Sequence, residues 1–286
     1  MLRQRVITAV ILLALVLPAL FYQSPGPFCA LALLFIVAGA WEWTRLAGLG
    51  PVACVASAAT CAGLGAAGWH LGLLTAQLTP LWLVAALVWV IGGAWLLGRG
   101  APAWVAVGAP VRTVVGVCGL LVAWLAVAQA RIVGINFLLS VFLLVWVADI
   151  FAYFSGRAWG GKILARKLAA TISPGKSWEG VWGGMAGVLV LAVGWGWADA
   201  YWMSSVPSLY THLIGVAPWF MVIGVLWLSA MSVVGDLVES LVKRVAGAKD
   251  SSGLLPGHGG VLDRLDALLP TVPIAMLLHS VWRPAP

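Results

Sequence analysis

Apolar residues in this 286-residue chain fall in successive blocks of about 18 to 23, the length an α-helix needs to cross the hydrocarbon core of a bilayer. No other feature restricts the fold so tightly, because backbone inside hydrocarbon must satisfy its own hydrogen bonds and few architectures do so. With 63% hydrophobic and only 9% charged residues, against roughly 25% charged in soluble domains, an ordinary soluble globule is excluded. The expected fold class is all-α, a polytopic membrane protein.

Nine spans are expected, over about 5–23, 27–47, 52–70, 80–98, 112–130, 136–156, 178–198, 218–238 and 265–282. Turn-forming runs such as Ser24-Pro-Gly-Pro27, Gly48-Leu-Gly-Pro51 and Gly98-Arg-Gly-Ala-Pro102 separate them. The third block, rich in Ala, Gly, Ser and Cys, suits close helix–helix contact. The stretch 204–216 is too short to cross and reads as an interfacial helix. The first block follows Arg3 and Arg5 like a signal peptide, but it is long for one and has no A-x-A site, so it is kept as a span. Trp41, Trp43, Trp69, Trp82, Trp178, Trp219 and Trp282 stand at block ends, where indoles anchor at membrane interfaces. Cys29, Cys54, Cys61 and Cys118 have no CxxC spacing and read as small apolar packing residues.

Basic residues fix the orientation. With the N-terminus in the cytoplasm, nine spans place 14 of the 16 Lys and Arg on the inner face, leaving Arg131 and Arg283 outside. Eight or ten spans would scatter them. The net charge of +7 therefore reflects inner-face loops, not nucleic-acid binding. Two charged loops, 157–177 and 239–264, share that face, as do the acids Glu42, Asp149, Glu179 and Asp236 near span ends. Intramembrane carboxylates are costly and mark function, so a shared polar cavity opening to the cytoplasm is expected.

The stretch 240–266 is the most polar part of the chain: eight of its 27 residues are Lys, Arg, Asp or His. Asp263 and Asp266 stand i, i+3 on one helical face, with Asp236 closing the preceding span. Such hard oxygen ligands suit Mg²⁺ carrying phosphate; equally, Asp263 could cap the last helix and Asp266 complement its dipole. Lys243, Arg244, Lys249 and Arg264 surround the glycine-rich turn 253–260, whose N–H groups can meet phosphate oxygens; a basic patch on an anionic leaflet would explain the charge but not the interleaved acids. His258 has no partner at zinc spacing and could serve as a base, a phosphate contact or a turn residue. Upstream, Ser177 opens a helix whose N-terminus can receive an anion. Gly175-Lys-Ser lacks the first glycine and the strand of a Walker A loop, and that reading is rejected. Asp149 and Tyr153, one turn apart, line a cavity. Residue chemistry alone stops at a cytoplasm-facing site for a phosphorylated substrate and a divalent metal. A transporter with ion-coupling acids is the rival from another class, and it leaves the polar loop unexplained.

The pattern Ser240-x-x-Lys-Arg244, Lys249-Asp250, Pro256-x-His-Gly-Gly260, Asp263-Arg-x-Asp266 resembles the signature of the CDP-diglyceride synthetases (phosphatidate cytidylyltransferases), filled at every position. Asp149-x-x-Ala-Tyr153, Gly161-Lys162 and Ile172-Ser-Pro-Gly-Lys-Ser-Trp-Glu-Gly180 are similar to a second family motif, and Trp41-Glu-Trp43 more weakly to another. The resemblance implies a multi-pass enzyme of the cell inner membrane that joins CTP to phosphatidic acid, releasing pyrophosphate, with Mg²⁺ and a monovalent cation such as K⁺, acting as a homodimer. It maps the metal carboxylates onto Asp236, Asp263 and Asp266. On that basis Asp236, Lys249, Asp250, His258, Asp263 and Asp266 are placed at the reaction centre. Asp149, Tyr153, Lys162, Ser173, Lys176, Ser177, Glu179, Lys243, Arg244 and Arg264 are placed in contact with substrate. Residues 1–135 read as scaffold and 136–286 as the catalytic region. A nucleotidyltransferase acting on another lipid phosphate fits the residues as well, since nothing identifies an acyl-chain pocket.

Overall fold

The structure, a computed structural model, describes residues 2–281. Its helices are α1 (Leu2–Phe21), α2 (Gly26–Leu46), α3 (Pro51–His70), α4 (Thr79–Leu87), α5 (Gly93–Arg99), α6 (Ala101–Ala106) and α7 (Ala109–Val133). They continue as α8 (Ile135–Trp159), α9 (Trp178–Tyr201), α10 (Leu209–Val216), α11 (Pro218–Val245), α12 (Leu262–Leu265) and α13 (Leu268–Val281). A π-helical turn, Val88–Gly92, joins α4 to α5 into one span. Eight helices among the described residues are long and apolar enough to cross a membrane. The protein is an all-helical, multi-span membrane protein.

The expected ninth span is built differently. Its first turn, α12, breaks at Asp266-Ala267, and α13 supplies 14 further residues. The end of the expected 265–282 segment, with Trp282 and Arg283, lies outside the described residues. Every residue from Thr271 to Leu278 is buried, because α13 packs against α4, α7, α8, α10 and α11 at once. A helix apolar all round belongs either in lipid or in a core; this one is the core of the bundle. Around it the lipid-facing elements are poorly covered, and α1 least of all.

Two polar staples at the far end hold the helices in register. Arg131, at the end of α7, donates from Nε to Leu20 O (3.0 Å) and from an Nη to Tyr22 O (2.7 Å), tying α7 to the end of α1. Asp199 accepts from Asn136 Nδ2 (2.9 Å), Ser208 N (2.9 Å) and Thr211 Oγ1 (2.6 Å), fastening α8, α9 and α10 together. The 204–216 stretch is therefore not a surface helix: Leu209, Tyr210 and Leu213 of α10 are fully buried. Asp199 is an acid at the far end, away from those expected to share one face.

Small residues allow the closest contacts, as the third block foretold: Cys61 is fully buried on α3. Gly116 of α7 lies directly beneath the Trp43 indole, whose Nε1 donates to Arg112 O at 2.8 Å. Trp43 and Trp82, expected at the interface, are 6% and 1% exposed and pack the core instead, whereas Trp219 faces outward. Cys118 is exposed, unlike the other three cysteines. A side chain at Gly116 would displace Trp43, while one at Gly119 would meet nothing within 4 Å. Gly116→Val is expected to cost about 1–3 kcal/mol through overpacking, and Gly119→Ala none; thermal unfolding of the two variants in detergent checks this.

Candidate active site

At the end of the bundle opposite the Arg131 staple, α11 runs out at Val245. Its last carbonyls are closed by Gly247 N to Arg244 O (3.1 Å) and Ala248 N to Lys243 O (2.9 Å), with Gly247 at φ 67°, a glycine-dependent helix end. The chain then makes a tight turn, His258 N to Leu255 O (2.8 Å) and Leu255 N to Gly259 O (2.9 Å), before α12. What holds this turn is a carboxylate from far away in sequence. Glu42, fully buried on α2, accepts from Ser251 Oγ (3.1 Å), Val261 N (2.9 Å) and Leu262 N (2.7 Å), and from Ser252 Oγ. Arg45, one turn on, donates to Ser251 O, and Thr8 of α1 donates to Pro256 O at 2.8 Å.

Asp263 is the second organiser of the turn. It accepts from Ser251 N (2.9 Å), Ser251 Oγ (3.0 Å), Gly260 N (2.7 Å) and Lys243 Nζ (2.6 Å). The backbone passes so close that a Cβ on Gly259, at φ 89°, would lie 2.6 Å from Asp263 Oδ2, which accounts for a glycine at that position. Burial pushes the Asp263 carboxyl up, but Lys243 and the N–H groups of Gly260 and Ser251 outweigh it and hold the group down at about 2. Lys243 sits between Asp263 and Glu239, whose carboxylate is 2.5 Å from Nζ.

The other loop is built the same way. Glu179, in the first turn of α9, accepts from Gly161 N (3.1 Å), Ile163 N (3.1 Å) and Leu164 N (2.9 Å), while Ser177 caps the helix by accepting from Gly180 N at 3.2 Å. Arg244 Nε donates to Ile172 O at 3.3 Å, so α11 also touches this loop.

Between the loop, α8, α9 and α11 lies a cleft of about 390 Å³ lined by Asp149, Tyr153, Arg157, Lys176, Ser177 and Asp236. Lys176 pairs with Asp236, and Arg157 Nη1 donates to Tyr153 Oη at 3.1 Å. Asp266 lies close enough to Asp236 and Asp149 to be repelled by both. The structure thus brings together Asp149, Tyr153, Lys176, Ser177 and Asp236 from the expected site, while Asp266 stands beside Gly235 and accepts from Ala267 N at 2.8 Å. Glu179 sits behind the loop rather than in the cleft, and Asp263 is spent on the turn. Lys162 donates to Ala158 O (2.6 Å), Ser173 forms a backbone bridge with Ala169, and Lys249 and Asp250 are exposed. Arg264 donates to the carbonyl of His258, whose Nδ1 is buried without a hydrogen-bond partner among the described residues. No three His, Cys, Asp or Glu side chains among the described residues converge at metal-holding distances.

Sequence reasoning left Glu239 and Arg157 out of the site and put Glu42 in a shared polar cavity, whereas Glu42 is fully buried beneath the turn and does not line the cleft. Glu239 had a signal, standing i+3 from Asp236 and i−4 from Lys243 on one face of α11. Glu42 had a weaker one, an acid closing an apolar block.

A helical membrane bundle that gathers acids, bases and two carboxylate-anchored polar loops at one end defines an integral membrane protein equipped to handle anionic groups there. The chain belongs to the cytidylyltransferase family, whose model matches residues 3–282. It is 42% identical over 291 residues to a phosphatidate cytidylyltransferase of Pseudomonas aeruginosa, covering 99% of both chains. A phosphatidate cytidylyltransferase of Haemophilus influenzae is 38% identical over 96% of each chain, and one of Brucella abortus 34% over 98% of this chain and 94% of its own.

Glu42→Gln keeps the shape but places an amide N–H₂ against backbone donors, so each lost charged hydrogen bond costs about 1.5–3 kcal/mol. Limited proteolysis is expected to cut the variant within 250–261 much faster than the wild type. A second expectation concerns acid. The order that Asp263 confers is complete above the ordinary carboxyl value of 3.8 and is lost as pH falls through about 2. Hydrogen exchange of the Ser251 and Gly260 amides should therefore stay slow in mild acid, and Asp263→Asn should speed it at neutral pH.

Proposed function

We propose that the protein is a CTP:phosphatidate cytidylyltransferase, forming CDP-diacylglycerol and pyrophosphate in phospholipid biosynthesis. The observation that carries the reading is the cleft lined by Asp149, Lys176, Ser177 and Asp236 at one end of a membrane bundle, with Arg244 of the signature stretch bonded to Ile172 of the motif 172–180. A lipid phosphate and a nucleotide must meet at a membrane surface, and this cleft lies where both can reach.

In this reading a phosphate oxygen of phosphatidate attacks the α-phosphorus of CTP, the bond to the β-phosphate breaks, and pyrophosphate leaves. No protein nucleophile is required; holding two anions in line supplies much of the rate. Lys176 and Arg157 on the cleft wall receive phosphate oxygens, and Lys176 exchanges its Asp236 partner for substrate as it does so. Ser177 and the first turn of α9 offer N–H groups to a further oxygen. Arg244 and Lys249 extend the positive rim, and Arg264 braces the turn through His258. Lys243 holds Glu239 and Asp263 in place.

The hard oxygens of Asp236 and Asp266, on neighbouring segments where Asp266 packs against Gly235 and with Lys176 paired to Asp236, suit a divalent cation. Asp236 and Asp266 would hold Mg²⁺, and with both oxygens of Asp263 engaged in the turn we assign Asp263 to positioning. Bound there, Mg²⁺ would neutralise charge on the triphosphate. A monovalent cation such as K⁺ would share the same acids. The N-terminus and both loops face the cytoplasm of a cell inner membrane, and the working unit is a homodimer.

Purified protein given labelled CTP, Mg²⁺ and a panel of lipid phosphates should release pyrophosphate with phosphatidic acid; release only with a different lipid phosphate, or with none, would sink the assignment. Asp236→Asn and Asp266→Asn should lower turnover at least a hundredfold, about 2.7 kcal/mol in the barrier. Lys176→Met should raise KM for CTP about tenfold or more.

A further inference from the structure

A second cavity, about 330 Å³, lies between α11, the α4–α5 span and α7. It is separate from the cleft: α11 turns Asp236 to the cleft and Val238, two residues on and so roughly 200° round the helix, to this cavity. Its wall is almost wholly apolar. The π-helical turn Val88–Gly92 borders it, a local widening that recurs at binding sites. Gly92 and Gly119 face open volume, since a Cβ at either would meet nothing within 4 Å.

The exceptions to the apolar lining stand together. Trp104 of α6 is 7% exposed, yet its indole Nε1 is buried with no hydrogen-bond partner, and the same is true of Arg112 Nε in the first turn of α7. The Arg112 guanidinium lies 5.8 Å from the Trp104 ring centroid and joins no ion pair among the described residues. Buried donors are normally satisfied, and Arg112 is half-buried with its charge facing the Trp104 ring. An apolar slot with a cation and an unmet N–H at one end is the complement of an amphiphile with a negative head. Its place in the bundle agrees, because α5 ends and α7 begins at the same end as the polar loops, the level of one leaflet's headgroups.

We propose that this cavity is a binding site for a membrane phospholipid with an anionic headgroup, its phosphate on Arg112 and Trp104 and an acyl chain along Gly92 and Gly119. The occupant touches Trp43 and Val238. This lipid is not the one consumed in the cleft.

The test uses the full chain in nanodiscs with a phosphatidylglycerol carrying a photoactivatable group in its acyl chain, followed by peptide mapping. Labels should concentrate in 88–96 and 111–120, and a phosphatidylcholine probe should label these peptides far less. Gly119→Phe, which fills the slot, should cut the labelling about tenfold, and Arg112→Gln should abolish the preference for the anionic probe, with transferase activity retained in both. In the wild type, excess unlabelled phosphatidylglycerol should suppress labelling and phosphatidylcholine should not, a comparison that holds even if a variant fails to fold. Labels spread evenly round the bundle, equal labelling by both probes, or crosslinks from this face to a second copy of the chain would overturn the proposal.

Discussion

Three buried or half-buried carboxylates make the polar end of this protein possible. A loop at the mouth of an apolar bundle cannot leave its N–H groups unpaired, and it lacks the length for a sheet or helix of its own. Glu42, Glu179 and Asp263 each gather several donors, mostly from stretches that have no other partner. One anion accepting several N–H groups is both stronger and more directional than a set of neutral acceptors. Each of these carboxylates is supplied by a helix or a helix end, so the loops inherit the rigidity of the bundle.

The same device ties some acids to the fold and leaves others on the cleft. Glu42 and Glu179 are consumed by structure, and Asp263 by the turn and by Lys243. Asp149 and Asp236 line the cleft with Lys176, which pairs with Asp236, and the Asp266 backbone packs against Gly235, next to Asp236. Placing like charges together is unfavourable unless something positive binds them, and the arrangement is held only because α8, α11 and the α12–α13 break are pinned by tertiary contacts elsewhere. Arg131 and Asp199 do this at the far end, where they fasten α1 to α7 and α8 to α9 and α10.

Much of this was legible in the chain. Block length gave eight membrane helices, most within a few residues, but α11 runs on to Val245, so Lys243 and Arg244 of the expected loop are helical. What escaped had physical causes. Glu42 meets its partners across 209 to 220 residues, and no local spacing encodes such a pairing. Trp43 and Trp82 stand at block ends as interfacial indoles do, but Gly116 beneath one of them opens a place in the core. The family motifs place Asp263 and Glu179 at the site, and a cap for the last helix is the other reading of Asp263, but no motif shows that both also hold loop backbone, Asp263 the N–H groups of Ser251 and Gly260 and Glu179 those of Gly161 and Leu164.

The final helix shows why hydropathy alone misleads about position. A membrane span and a core helix are both apolar on every face, so the block from 265 onward reads as one more lipid-facing crossing. Its burial against five helices has a consequence for the site. Asp266 starts a segment that cannot shift without disturbing the whole core, and Gly235 of α11 admits that start so closely that a Cβ there would sit 2.8 Å from Pro270. The acid one residue further along α11 is Asp236. The two carboxylates proposed to hold the cation are therefore set by a close contact between α11 and the start of α13, and their separation is fixed by packing rather than by the loop between them.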